Sequence, residues 1–153
     1  MQLKKILLLI TSVILTITAS FGQIHKPVKW TVASKKINSK EAVLFVKATI
    51  QNGWHIYALN LNGDGPIPTS FSFQKSADFS LIGKTLEPSP KVKHEKVFKM
   101  DVGYFINEVV FQQKVKLNND KGVANARGIV KWQSCDATQC LPQEEYAFII
   151  PVK

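Results

Sequence analysis

Apolar and polar residues alternate with a period of two along four segments of the chain, at residues 41–51, 109–117, 124–132 and 146–152. In the first of these, one face carries Ala42, Leu44, Val46, Ala48 and Ile50. A period of two with one polar face is typical of half-buried antiparallel strands. The pattern therefore predicts four long strands, each with one side in a core.

Shorter strand candidates lie at residues 28–34, 54–58, 69–74 and 79–82. Turn signals separate them at residues 52–53, 62–66, 88–90 and 118–122. No stretch after residue 22 shows an apolar stripe with the helical period of 3.6. Eight or nine short strands with frequent turns predict an all-β fold, an antiparallel β-sandwich.

The N-terminal segment has the order of a secretory signal peptide. Lys4 and Lys5 precede an apolar run at residues 6–17, and small residues follow at Ser20 and Gly22. The run is shorter than the roughly 20 residues that a membrane-spanning helix needs. We expect residues 1–22 to be a signal peptide and residues 23–153 to be one exported, periplasmic domain. The alternative is an uncleaved N-terminal anchor.

Charge adds little to this interpretation. Two of the 20 Lys and Arg residues and none of the 11 acidic residues lie in the predicted signal peptide, so residues 23–153 carry 18 minus 11, or +7. The lysines are scattered, which is typical of a solvated surface. Export and the lack of a binding motif argue against nucleic-acid partners.

The chain has two cysteines, Cys135 and Cys140, and both lie in the part predicted to be exported, where disulfides persist. They fall between strand candidates at residues 122–133 and 144–152, at the end of a predicted hairpin. A six-residue ring constrains the unfolded chain by roughly 2 kcal/mol, less than a long loop would. An exposed bridge is open to an attacking thiolate. The residues alone leave two alternatives open, a redox-active pair and a structural bridge.

Other candidate chemistry is weak. His94 and Glu95 begin like a zinc-protease motif, but Phe98 stands where the second histidine would be, so we predict no metal and no cofactor. The three tryptophans are predicted to be core residues. Asp136 either raises a thiol pKa or shapes the turn, and the turn is favoured.

The amino-acid sequence of the cysteine segment is more specific than the spacing of its two cysteines. Residues 132–144, WQSCDATQCLPQE, resemble the cysteine segment of the N-terminal periplasmic domain of the thiol:disulfide interchange protein DsbD. Supporting matches are GWHIY at 53–57, GPIPTSF at 65–71 and HEKVF at 94–98. The resemblance covers most of residues 23–153.

This resemblance implies an immunoglobulin-like β-sandwich whose cysteine pair cycles between dithiol and disulfide. Cys140 would form the mixed disulfide with a partner, and Cys135 would resolve it. The implied partners are a thioredoxin-like protein or a disulfide isomerase, together with a separate membrane electron-transfer protein, in a process such as cytochrome c biogenesis. Two other classes stay open: an immunoglobulin-like binding module with a structural disulfide, and an envelope assembly protein.

The resemblance also implies a cap loop, in which Phe98 would shield the disulfide with Lys96 and Val97 before it. Tyr57 would line the site, next to Asp136. Lys96 and Val97 stand where the family relative has acidic residues, and the loop between the cysteines is one residue shorter. A nearby lysine would favour the thiolate.

Overall fold

The computed structural model describes residues 25–61, 65–96 and 98–153, so the predicted signal peptide lies outside the described residues. The described residues form eleven strands and no helix. The strands are β1 (Val28–Lys36), β2 (Glu41–Ile50), β3 (His55–Tyr57), β4 (Ser70–Phe73), β5 (Phe79–Leu86), β6 (Lys91–Glu95), β7 (Met100–Phe105), β8 (Glu108–Leu117), β9 (Ala124–Trp132), β10 (Ser134–Cys135) and β11 (Glu144–Val152). Within these ranges there is accordingly no helix of the length and apolarity that a membrane crossing requires.

Every pairing between these strands is antiparallel. The strand orders are β1-β2-β8-β5, β10-β3-β7-β6 and β11-β9-β4. The Ser34 hydroxyl donates a 2.6 Å hydrogen bond to the carbonyl of Pro151, which ties β1 to β11. The fold is an immunoglobulin-like antiparallel β-sandwich, and the predicted fold class is confirmed.

The long strands alternate as predicted, and their apolar faces meet in one core. The predicted apolar face of β2, from Ala42 to Ile50, is buried at all five positions, and the matching face of β8 includes Phe111, which is fully buried. The rings of Trp30 and Trp132 lie 5.0 Å apart at their centroids in this core. Trp54 is buried as well, so the prediction that the tryptophans are core residues is confirmed.

The predicted count of eight or nine strands is wrong, because β6, β7 and β10 were missed. β6 has no buried residue, and β10 is only two residues long. The burial of β7 does not alternate strictly, since Val102 and Phe105 are its buried positions. None of these strands produces the regular alternation that identifies a half-buried strand.

These three strands, together with β3, form the sheet that positions Cys135. β9 pairs with β11 as the predicted hairpin, from Trp132 opposite Glu144 to Ala124 opposite Val152. The connection between them leaves this hairpin, and β10 pairs instead with β3. The first cysteine therefore lies at the edge of the sheet β10-β3-β7-β6, which we call the disulfide sheet.

Candidate functional site

Cys135 and Cys140 form a disulfide, with 4.0 Å between their Cα atoms. The two residues face each other as an isolated antiparallel bridge. Backbone hydrogen bonds flank it: the Leu141 amide donates to the Ser134 carbonyl, and the Asp136 amide donates to the Gln139 carbonyl, both at 2.9 Å. The disulfide thus closes a narrow hairpin whose tip is residues 136–139.

Asp136 shapes this tip. Its Oδ1 accepts hydrogen bonds from the Thr138 amide at 2.7 Å and from the Gln139 amide at 2.8 Å. The hydrogen bond from the Thr138 amide is the largest cause that holds the pKa of Asp136 below its usual range. A carboxylate that accepts backbone hydrogen bonds two and three residues on is an Asx-type turn. The structure therefore agrees with the turn role favoured for Asp136.

The two cysteines differ sharply in exposure. Cys140 is exposed, whereas Cys135 is only 1% exposed. The expectation that the hairpin end is exposed is right for Cys140 and wrong for Cys135. The reason is the pairing of β10 with β3, which buries Cys135 in a small cluster with Tyr57 and Val102. An external thiolate can approach Cys140 more readily than Cys135.

Strand register shows which side chains share the face of the disulfide sheet that carries Cys135. Residues directly opposite each other in an antiparallel pair project to the same face, as do residues two apart in a strand. Cys135 is opposite His55, Tyr57 is opposite Tyr104, and Lys93 is opposite Val102. The face therefore contains Cys135, His55, Tyr57, Tyr104, Lys91, Lys93, Glu95, Val102 and Met100. It combines the Cys135 sulfur with several titratable groups.

Lys93 connects most of these groups. Its Nζ lies 3.1 Å from Nε2 of His55 and 2.5 Å from Oε1 of Glu95. The same ammonium lies 5.1 Å from the ring centroid of Tyr104 and 5.9 Å from that of Tyr57. Ammonium groups within about 6 Å of an aromatic face are attracted to it. Lys93 is thus held among four partners on the face of the disulfide sheet that carries Cys135.

Two groups of this face have shifted titration. Burial, assisted by the charge of Lys93, lowers the pKa of His55 to about 4, so its imidazole is neutral near pH 7. Burial, assisted by the charge of Glu95, raises the pKa of Tyr57 to about 12, so its phenol keeps its proton. His55 Nε2 and the Tyr57 hydroxyl lie 3.4 Å apart. At neutral pH His55 and Tyr57 are therefore both uncharged.

Two of the predicted cap residues, Lys96 and Phe98, lie between β6 and β7. Phe98 is 39% exposed and Lys96 is exposed, while Val97 lies outside the described residues. Met100, which follows this turn, packs against the cluster that contains Cys135. The turn is therefore adjacent to the face of the disulfide sheet that carries Cys135. Shielding of the disulfide by Phe98 stays a prediction.

The sequence identified Cys135, Cys140, Tyr57 and Asp136, and the structure brings these four to one end of the disulfide sheet. It did not single out His55 and Lys93 as site residues. A signal existed for His55, because a histidine inside the apolar run at 54–58 is expected to be buried. No comparable signal existed for Lys93, whose strand has no buried residue. In the described ranges, no group of three or more His, Cys, Asp or Glu residues is arranged to hold a metal.

The described residues thus form a β-sandwich with one short-range disulfide that joins a buried cysteine to an exposed one. The family model described as "Thiol:disulfide interchange protein DsbD, N-terminal" matches residues 26–150. The chain belongs to this family, and the resemblance noted in its cysteine segment is confirmed.

One solved structure supports the fold. The N-terminal periplasmic domain of ScsB from Proteus mirabilis is similar with a TM-score of 0.55 and 18% identity, over 84% of this chain and 49% of that one. The chain thus spans about half the length of that structure. The DsbD N-terminal domain of Neisseria meningitidis in the reduced form has a TM-score of 0.48 and 14% identity, over 78% of this chain and 82% of that one. No curated protein matches the chain.

Proposed function

We propose that this protein is a periplasmic thiol–disulfide exchange module in which the Cys135–Cys140 pair passes two electrons between protein partners. The observation that carries the proposal is the asymmetry of the disulfide, with Cys140 exposed and Cys135 buried, in a member of the DsbD N-terminal family. Exchange needs a sulfur that a partner thiolate can reach, and unequal access to the two sulfurs determines which of them is attacked. Export through a signal peptide at residues 1–22 is part of the proposal.

The exchange step follows from this asymmetry. A partner thiolate attacks the sulfur of Cys140, the Cys135–Cys140 bond breaks, and its electron pair stays on the sulfur of Cys135. The partner's second thiolate then attacks the mixed disulfide and releases Cys140 as a thiolate. The module gains two electrons, and the partner leaves as a disulfide. Reduction of an acceptor disulfide is the reverse sequence, with Cys140 attacking and Cys135 resolving.

The proposed donor is a thioredoxin-like protein, and the proposed acceptors are disulfide-containing proteins such as disulfide isomerases. A separate membrane electron-transfer protein would supply the donor, in a process such as cytochrome c biogenesis. Between exchange events, Phe98 with Lys96 and Val97 would shield the disulfide, and a partner would displace this turn. Tyr57 would line the site next to Cys135. Its place in the same buried cluster as Cys135 supports this role.

Capture of a thioredoxin-like protein tests the assignment of roles. A thioredoxin-like protein that lacks its resolving cysteine should form a mixed disulfide with wild-type protein and with Cys135→Ala, in which Cys140 is the free thiol. Cys140→Ala should form none, because the remaining thiol is buried. The complexes are resolved on non-reducing gels, with free thiols activated as mixed disulfides beforehand. Equal capture by both single variants would overturn the roles, and capture by none would indicate a structural bridge in a binding module.

A further inference from the structure

The proposed exchange step creates a charge in a buried place. When a partner attacks Cys140, the electron pair of the broken bond remains on Cys135, which is 1% exposed. Burial disfavours a thiolate unless a positive charge or a hydrogen-bond donor compensates it. The site therefore needs a group that stabilises negative charge on the inner sulfur.

The disulfide sheet places such a group next to Cys135. His55 is the direct cross-strand neighbour of Cys135, and its Nε2 lies 3.1 Å from the ammonium of Lys93. Because an ammonium can only donate, Nε2 must accept, and the neutral ring then carries its proton on Nδ1. Lys93 thus fixes the tautomer of the ring that stands beside the sulfur.

Lys93 is unusually constrained for a lysine. Its side chain is 32% exposed, it pairs with Glu95, and it lies over the rings of Tyr57 and Tyr104. A free lysine side chain loses up to about 2 kcal/mol of conformational entropy when it is fixed in this way. These contacts hold the charge on the Cys135 face of the sheet before any partner arrives.

We propose that Lys93, acting through His55, is a positioning residue that stabilises the thiolate of Cys135 formed during exchange. The inference rests on the proposed function. No proton needs to move in the step, since the electron pair stays on the inner sulfur while the ammonium and the imidazole N–H compensate it. When Cys135 later attacks the mixed disulfide, the same charge keeps it in its reactive, deprotonated form.

The charges of the other groups around His55 determine whether each substitution should raise or lower the thiolate fraction of Cys135. Glu95 on β6 and Asp136 after β10 are negative and oppose the thiolate, and both raise the pKa of His55. Tyr57 on β3 and Tyr104 on β7 are neutral phenols whose rings stand edge-on to His55. Lys91 shares the strand and the face of Lys93 but is exposed, which makes it a matched control.

The test measures the thiolate fraction of Cys135 in a Cys140→Ala background, by the ultraviolet absorbance of the thiolate as pH is varied. Lys93→Met should reduce the thiolate fraction at neutral pH by about tenfold, the equivalent of one pKa unit. His55→Phe should reduce it in the same direction, and Lys93→Arg should retain most of it. Glu95→Gln should increase it, because an amide still accepts from Lys93 but no longer opposes the thiolate.

This reversal of sign separates an electrostatic role from a structural one. A packing defect would lower the melting temperature without moving thiolate fractions in opposite directions. Equal fractions in Lys93→Met and Lys91→Met would overturn the role of Lys93. The titration needs no partner, whereas the capture experiment does. If Lys93→Met has the thiolate fraction of the wild type while the wild type still captures a thioredoxin-like protein, only the role of Lys93 is rejected. If the wild type captures none, the proposed function is rejected.

Discussion

The core of the long-stranded part of the sandwich and the Cys135 face of the disulfide sheet carry different side chains. On β1, β2, β8, β9 and β11 the buried face is almost entirely aliphatic and aromatic, with the rings of Phe111, Trp30 and Trp132 close together. The disulfide sheet adds Ile56 and Phe105 to this core from one face, whereas its other face contains a cysteine sulfur, an imidazole, two phenols and an ion pair. The first region contributes free energy of folding through apolar burial, and the second holds reactive groups in fixed positions.

The comparison shows how a small sandwich supports chemistry. Short strands with few apolar positions contribute little to the core, so their residues are free to be polar. The long strands supply the stability that lets the disulfide sheet keep a neutral His55 and a constrained Lys93. Substitutions in the long-stranded core should therefore mainly change the free energy of unfolding, and substitutions in the disulfide sheet should mainly change reactivity and pH dependence.

The largest effect is expected in the long-stranded core. Phe111 is fully buried among other aromatic rings. Phe111→Ala should lower the free energy of unfolding by about 3–5 kcal/mol, because it leaves a cavity in addition to the lost transfer term. Ile149, which is 48% exposed, is the matched control, and Ile149→Ala should change stability by about 0.5 kcal/mol or less. Denaturant unfolding measures both, and similar losses would mean that the core is not where stability lies.

Reduction of the disulfide should have a smaller effect. The bridge spans a sequence separation of 5. The chain-entropy model gives roughly 2 kcal/mol for such a short ring. Unfolding of oxidised and reduced wild-type protein in urea measures the difference. A loss on reduction that exceeds the loss in Phe111→Ala would show that the bridge mainly holds the fold together, and would reverse the comparison.

A pH-dependent effect is expected from His55. Its folded pKa of about 4 lies below the ordinary value of 6.5, so the unfolded chain binds a proton first as pH falls. Stability from the neutral imidazole is full above pH 6.5 and declines between pH 6.5 and about 4. Melting temperatures across this window should fall in the wild type and fall less in His55→Phe. An equal fall in melting temperature for the wild type and His55→Phe would contradict the buried, neutral state of His55.

The smallest effect is expected at the tip of the cysteine hairpin. The pKa of Asp136 is lowered from 3.8, chiefly by the Thr138 amide, so its stabilising effect is present above pH 3.8 and is lost as pH falls further. Asp136→Asn keeps an acceptor oxygen but removes the charge. The variant should match the wild type at neutral pH within a small margin and lose less melting temperature in acid. An identical acid response would show that the carboxylate charge does not matter there.

The regular strands could be predicted from the sequence because alternation at 41–51, 109–117, 124–132 and 146–152 is a direct consequence of one buried face. The disulfide sheet could not, since β6 has no buried residue and β10 is too short to show a period. The pairing of β10 with β3 joins residues far apart in sequence, which no local pattern encodes. The same pairing buries Cys135 and places it beside His55.

The candidate site was therefore predicted in part. The cysteines and Tyr57 followed from the resemblance of local segments, and Asp136 followed from its place next to Cys135. Lys93 appeared in the sequence only as one of several scattered lysines. Its proposed role depends on three strands meeting side by side, since Lys93 and the His55 that it contacts are 38 positions apart in the sequence.

The central claim is that the Cys135–Cys140 disulfide is poised for exchange, and its reduction potential tests this most directly. The protein would be equilibrated in glutathione or dithiothreitol buffers of known potential, and free thiols would be counted by alkylation. The account predicts a potential within the range of exchange proteins, roughly −270 to −180 mV. A value well below about −300 mV is typical of structural bridges and would contradict it.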